Sequence, residues 1–262
     1  LVYGSRFGTR FGSLETVDML MDTLTDKYTG TPMALTAEKL AEIHNISRGE
    51  VDEYSLAAHQ KAIDAQDLLS GEIIAIKEGR TDCSKDEHIR DDATLEGLNK
   101  LKASFVKDGV VTPATASGIV DGACCIIVAS EDFVQKKGLK PIAEIIDGHV
   151  VGVDPKIMGI GPVPAIKGLL DKNSLKIEDI DLIEINEAFA AQVIACKKEL
   201  KLDDNKLNRW GGAIAIGHPL AATGTRITNT LARQLRHYNL KTGIASACIG
   251  GGQGIAILIK AV

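Results

Sequence analysis

The strongest constraint on the fold is the alternation that fills the C-terminal half of the chain. "PIAEIIDGHVVGV" (141–153) reads as a strand. After it, "DLIEI" leads into "NEAFAAQVIACKKEL", and "GGAIAIG" leads into "HPLAATGTRITNTLARQLRHY". The last pair of apolar runs, "GIASAC" and "GIAILIK", flanks a run of glycines. Short apolar strands alternating with amphipathic helices pack as a layered α/β domain, because each strand face and each helix stripe needs an apolar partner. Upstream, "GACCIIVAS" (122–130) is a continuous apolar run, as expected of a strand covered on both faces. A helix over "SEDFVQKKG" follows it, with Ser130 as its N-cap.

The first hundred residues have a different texture. Residues 1–35 are punctuated by glycine and threonine and read as loop, with a helix over "LETVDMLMDTL" (14–24). "TAEKLAEIHN" reads as a helix capped by Thr36. Ser47 and Glu50 have the S-x-x-E spacing of a capping box, which opens a helix over "SRGEVDEYSLAAHQKAIDAQ". "GEIIAIK" (71–77) alternates as a strand does, and residues 79–109 are polar and loop-like. This part reads as a mixed α/β cap.

Bulk properties exclude several classes. The chain has 262 residues, enough for one large domain or two small ones. Its formal net charge of −5 gives no general case for nucleic acid or an anionic membrane. Its longest apolar runs, such as "ACCIIVA", are too short to span a bilayer. The five cysteines, Cys83, Cys124, Cys125, Cys196 and Cys248, form no CxxC pair. An odd, uneven set points to reduced thiols in a reducing compartment and to no zinc site. The opening "LVYGSRFGTRFGS" begins at Leu1, lacks the apolar core of a signal peptide and reads as the interior of something longer.

Three polar turns follow apolar runs: Asn186-Glu187, Gly217-His218-Pro219 and Cys248 with its glycines. Reacting groups in open α/β sheets gather beyond the carboxyl ends of strands, so the three belong on one rim. Pro219 suits the first position of a helix, which puts His218 at or beside an N-cap. The positive helix end disfavours imidazolium there. A neutral imidazole can take a proton from a thiol or donate to an oxyanion. The same placement also suits a histidine that merely caps. Asn186 is a preferred N-cap residue, and its amide can fix a water as well. Cys248 precedes three glycines, whose backbone N–H groups can approach a substrate oxygen. The competing reading is a buried structural thiol in a glycine bend.

Taken together, these motifs resemble the thiolase family. "NEAFAAQ", "GGAIAIGHP" and "CIGGGQG" match its three C-terminal motifs in order. "RFGTRFGS", "TPMALTAEKLA", "NISRGEVDEYSL", "VTPATASGIVDGA" and "DPKIMGIGPVPAIKG" extend the match upstream. The set is most similar to the mitochondrial 3-ketoacyl-CoA thiolase branch and covers nearly the whole chain. The resemblance implies an αβαβα-layered fold, with 1–117 as the loop domain of the first half, 118–136 as the last strand and helix of that half, and 137–262 as the C-terminal domain. It implies thiolytic cleavage of a 3-ketoacyl-CoA, or the reverse condensation, with coenzyme A as substrate and no bound cofactor or metal. Cys248 inherits the acid/base role, His218 the activation of the nucleophile, Asn186 the water of one oxyanion hole and Gly250 the N–H of the other. Ser117 inherits contact with the pantetheine arm of CoA, and Arg90 or a lysine near it is a candidate for the nucleotide phosphates. A homodimer or homotetramer and the mitochondrial matrix are implied, with the cytoplasm as the alternative site.

The sequence also departs from the pattern. The family's nucleophilic cysteine lies in a V-N-x-x-C-x-S-G segment, a context that none of the five cysteines has. The chain is therefore expected to be a fragment, a partly given protein or a degenerate relative, inactive by itself. Thr115 stands where the family has Asn, Ala221–Gly224 ("AATG") where it has "GASG" or "GGSG", and Trp210 where it has Asn or Ser. A ring at Trp210 is expected to disturb the packing around His218. Two other readings share the fold: an inactive CoA-binding or scaffold protein, and a condensing enzyme of fatty-acid synthesis. The latter usually carries a second histidine where Cys248 stands.

Overall fold

The computed structural model describes residues 1–9 and 11–262. The N-terminal region carries four helices: α1 (Met19–Thr23), α2 (Met33–Ile43), α3 (Arg48–Asp64) and α4 (Gln66–Ser70). A small hairpin of β1 (Ile76–Glu78) and β2 (Thr81–Cys83) follows, then α5 (Leu95–Asn99) and α6 (Glu131–Lys137). The C-terminal region contains β3 (Ala143–Gly152), α7 (Pro162–Lys172), β4 (Leu182–Ile185), α8 (Ala190–Leu200), the single turn α9 (Ala213–Ile216), α10 (Thr223–His237), β5 (Thr242–Ile249) and β6 (Gln253–Ala261).

The sheet has the order β3-β6-β5-β4. β6 runs antiparallel to both neighbours, while β4 and β5 are parallel. Alternation along β4 divides the core. Leu182 packs with Ala245, Ile259 and Leu231 of α10 on one face. Ile183 and Ile185 pack with Ile166, Leu169 and Val193 of α7 and α8 on the other. A side-chain period of two forces this split. Outside α8, a further cluster joins α2, α3 and α9 through Leu40, Val51, Ala58, Ala191 and Ile214. The result is layered α/β, as expected.

Several local expectations hold. Ser47 accepts from Glu50 N while Glu50 Oε2 accepts from Ser47 N at 2.7 Å, so the capping box opens α3. Ser130 accepts from Phe133 N and caps α6.

Others are corrected. The first helix is confined to Met19–Thr23, with Asp18 as its cap. α2 starts at Met33, with Pro32 as a non-helical N-cap that makes no side-chain cap bond. Thr36 is inside it, its hydroxyl donating to Met33 O at 2.6 Å. Within 71–77 only Ile76 and Lys77 enter a strand: Ile74 is 88% exposed, while Glu72 turns to α10 and accepts from Asn229 Nδ2 at 3.1 Å and Thr230 Oγ1 at 2.8 Å. "GACCIIVAS" forms no strand among the described residues, and Ile127 is 91% exposed. A strand needs a neighbour for its backbone N–H and C=O groups, and here none pairs with this run. "AIAI" is a helical turn rather than a strand. A short apolar run without clear period suits either form, and a carboxylate at its amino end decides the matter, as described below.

Candidate active site

β4 ends at Ile185, and the parallel pairing continues one residue further, Asn186 N donating to Ser246 O at 2.9 Å. With Ile185 opposite Ser246, this register sets Asn186, just past β4, and Cys248, the next-to-last residue of β5, at the same end of the two parallel strands. Asn208 braces the strand end, accepting from Ile185 N and donating to Ile185 O, both at 2.9 Å. Asn186 is not an N-cap, because α8 begins only at Ala190. Its side chain is 1% exposed, and Nδ2 lies 3.2 Å from His218 Nε2. Its Oδ1 is buried with no partner among the described residues, an acceptor left for substrate or water.

His218 lies between α9 and α10, five residues ahead of Thr223, so the expected N-cap position is also corrected. Its Nδ1 is 2.7 Å from Thr223 Oγ1, which donates to Pro219 O at 3.1 Å. One tautomer satisfies every contact. The Thr223 proton goes to the carbonyl, Nδ1–H donates to Oγ1, and Nε2 accepts from the Asn186 amide. Burial, with the Arg226 guanidinium second, lowers the imidazole pKa to about 4. His218 is therefore neutral at pH 7. The neutrality expected from a helix end arises instead from desolvation.

The segment 115–118 threads between these two loops. Ala116 bridges to Phe189, Ser117 N donates to Ala188 O at 3.0 Å, and Gly118 O accepts from His218 N at 3.0 Å. Ser117 thus joins Asn186 and His218. Thr115, at a departure position, closes its own turn: Oγ1 accepts from Thr112 N and donates to Val110 O, both at 2.8 Å.

Cys248 is the next-to-last residue of β5, opposite Gly254. Burial pushes its thiol up to about 12, against a hydrogen bond from its own backbone, so at neutral pH it carries its proton. The turn that follows needs glycine: Gly251 and Gly252 have φ of +82° and +83°, and Gly252 lies against the backbone of Val153 and Pro155. Gly250 sits on this exposed turn, beside the Met33 methyl. Arg90 is not gathered in. It is exposed, and its anchored part is the backbone, donating to His59 Nδ1 at 3.2 Å.

Sequence reasoning missed two supporting residues. Thr223 orients His218 from five positions downstream. Glu187, 1% exposed, accepts from Tyr54 OH at 2.8 Å, Asn208 Nδ2 at 2.9 Å and Ile214 N at 3.1 Å. Its carboxylate at the amino end of "AIAI" satisfies a free helical N–H and selects the helical turn. The adjacent N-E pair was the only available signal. Trp210 does not disturb the site. It is buried at 2% exposure, its Nε1–H donating to Tyr238 OH at 3.1 Å, while His218 keeps both contacts.

This sheet, with an asparagine–histidine pair and a glycine-flanked thiol on one rim, is that of the thiolases, and the chain belongs to the thiolase family. "Thiolase, N-terminal domain" matches residues 2–132 and "Thiolase, C-terminal domain" residues 139–261. The human mitochondrial 3-ketoacyl-CoA thiolase is 49% identical over 97% of this chain, and the match spans 66% of that relative. An acetyl-CoA acetyltransferase of Shinella zoogloeoides is 41% identical over 97% of this chain and 67% of its own length. The crystal structure of the human mitochondrial enzyme superposes with a TM-score of 0.93 at 48% identity, over 100% of this chain and 68% of that one. A second structure of it, in complex with CoA, gives 0.90 at 46% identity, over 100% and 67%. The chain thus spans about two thirds of the length of these relatives. Among the described residues no helix is long and apolar enough to cross a membrane.

Proposed function

We propose that this chain supplies the acid/base part of a thiolase-type acyltransferase that cleaves a 3-ketoacyl-CoA with CoA, or runs the reverse condensation. The observation that carries the reading is the neutral His218 held by Asn186 on the rim where the Cys248 thiol and its glycine turn lie. A cysteine outside the five of this chain passes its thiol proton to His218, and the thiolate so formed attacks the keto carbonyl. The C2–C3 bond breaks, and its electron pair becomes the enolate of acetyl-CoA. Cys248, protonated in the resting site, donates its proton to C2. The resulting Cys248 thiolate takes the proton of the incoming CoA thiol, whose sulfur takes over the acyl group and displaces the cysteine, and the leaving thiolate takes back the proton held by His218. Once His218 has taken the proton of the attacking cysteine, its Nε2–H donates to one oxyanion beside a water held by Asn186 Oδ1, and the Gly250 N–H serves the other.

CoA is the substrate in this reading, with Ser117 beside its pantetheine arm and Arg90 as the candidate for its phosphates. Mitochondrial relatives support a matrix location. The family resemblance alone supports an assembly of two or four subunits.

The test is loss of acetoacetyl-CoA enolate absorbance in the presence of CoA. The 262-residue chain alone is expected to be inactive, and joining it to an upstream half that carries the family's cysteine is expected to give turnover. Binding of CoA without turnover in that joined protein would favour the second reading, a CoA-binding scaffold.

A further inference from the structure

The glycine turn after Cys248 is held from the far end of the chain. Asp26 lies in a loop closed by Asp26 N donating to Thr31 O, Gly30 N to Asp26 O and Met33 N to Leu24 O. Its side chain is 1% exposed. Oδ1 accepts from Tyr28 N at 3.0 Å, Thr29 N at 2.8 Å and Thr29 Oγ1 at 3.0 Å. Oδ2 reaches across 225 positions and accepts from Gly251 N at 3.0 Å.

The two oxygens do different work. Oδ1 makes a local Asx-type turn, for which asparagine serves as well as aspartate. Only the contact with Gly251 uses the second oxygen, and an amide offers a donor there instead. Burial works against the charge, yet the hydrogen bonds from Thr29, Tyr28 and Gly251 outweigh it and hold the carboxyl below its ordinary pKa.

The turn is anchored at a second point, where Gly252 O accepts from Val153 N at 2.7 Å. Gly250 lies before both anchors and has glycine's freedom to rotate. The Gly251 N–H belongs to the peptide that joins Gly250 to Gly251, so its orientation sets which way Gly250 faces. The same loop lays the Met33 methyl beside Gly250 and the Tyr28 ring beside Gly251.

We propose that Asp26 is a positioning residue for the glycine turn, its carboxylate fixing the peptide beside Gly250 and so the backbone donor next to Cys248. The catalytic part of this inference rests on the thiolase-type reading above. The structural part does not.

Two measurements test it. In the 262-residue chain, Asp26→Asn keeps the Oδ1 turn and removes only the acceptor at Gly251. Amide hydrogen exchange across 249–252 is expected to speed up, while the melting transition and the exchange of 28–31 stay close to the parent. In the whole protein carrying this chain, kcat for thiolysis is expected to fall about ten- to a hundredfold, the scale of a misplaced catalytic group, with KM for CoA little changed. Unchanged exchange at Gly251 in Asp26→Asn would overturn the clamp even if no thiolysis is found in the parent, an outcome that by itself sinks the functional reading instead. Parent-like kcat in an active protein, or a loss that only tracks a lowered melting temperature, would overturn the positioning role.

Discussion

Asn186 Nδ2 lies 3.2 Å from His218 Nε2, so the end of β4 and the loop ahead of α10 meet in one hydrogen bond. The contact fixes the imidazole from its Nε2 side, and Thr223 fixes it from the Nδ1 side at 2.7 Å. A neutral histidine held at both nitrogens has one tautomer and one ring plane.

Thr223→Val keeps the shape but leaves Nδ1–H and Pro219 O without the hydroxyl. An unpaired buried donor costs about 1–3 kcal/mol. In the whole protein, kcat for thiolysis is therefore expected to drop about tenfold or more, and Thr223→Ser to recover most of it. Equal rates for the valine and serine variants would show that the hydroxyl does not orient His218.

Cys248 and His218 are expected to fail at different steps. Cys248→Ala removes the proton carrier, so exchange of the C2 protons of acetyl-CoA with solvent deuterium should fall about a hundred- to ten-thousandfold. The other cysteine should still become acetylated. His218→Ala should slow that acetylation itself. Deuterium incorporation and acyl-enzyme mass, read by mass spectrometry, separate the two, and failure of both variants at one step would refute the division of labour.

Glu187 is expected to matter for stability rather than for chemistry. Glu187→Ala strands Tyr54 OH, Asn208 Nδ2 and Ile214 N–H in the core. Leaving such buried donors unpaired costs about 1–3 kcal/mol. Urea unfolding should show the midpoint falling by that equivalent with little change in slope. A loss below about 1 kcal/mol would mean that the surrounding groups find other partners.

Glu184 gives a signature in pH. It is buried in β4, accepts from Gln234 Nε2 at 2.8 Å, and burial pushes its carboxyl up to about 8 from an ordinary 4.5. With a raised folded pKa, its contribution is whole below about 4.5 and is lost as pH rises towards 8. His59 and His218, both lowered to about 4 by burial, act with the opposite sign. Their contribution is whole above about 6.5 and is lost as pH falls towards 4. Between pH 6.5 and 8, Glu184 therefore dominates among these three, and stability should decline by about 1–2 kcal/mol. Glu184→Gln should flatten that decline in denaturant titrations. An unchanged slope would show that Glu184 is already ionised in the folded chain.

Sequence alone determined what is local or periodic. The alternation after Ala143 required a layered sheet, because each apolar face needs a partner. The spacing of Ser47 and Glu50 closed a capping box whose partners are three residues apart. Cys248, His218 and Asn186 stood out because each polar residue interrupts an apolar run. Tertiary structure decided the rest. "AIAI" became helical because Glu187 meets its amino end. "GACCIIVAS" carries a strand's composition but forms no strand among the described residues, since apolar character does not supply a neighbour. His218 owes its neutrality to burial, a quantity no motif contains. The Asp26–Gly251 bond joins residues 225 positions apart, where no pattern in a single sequence links one end to the other, and only packing brings carboxylate and amide together.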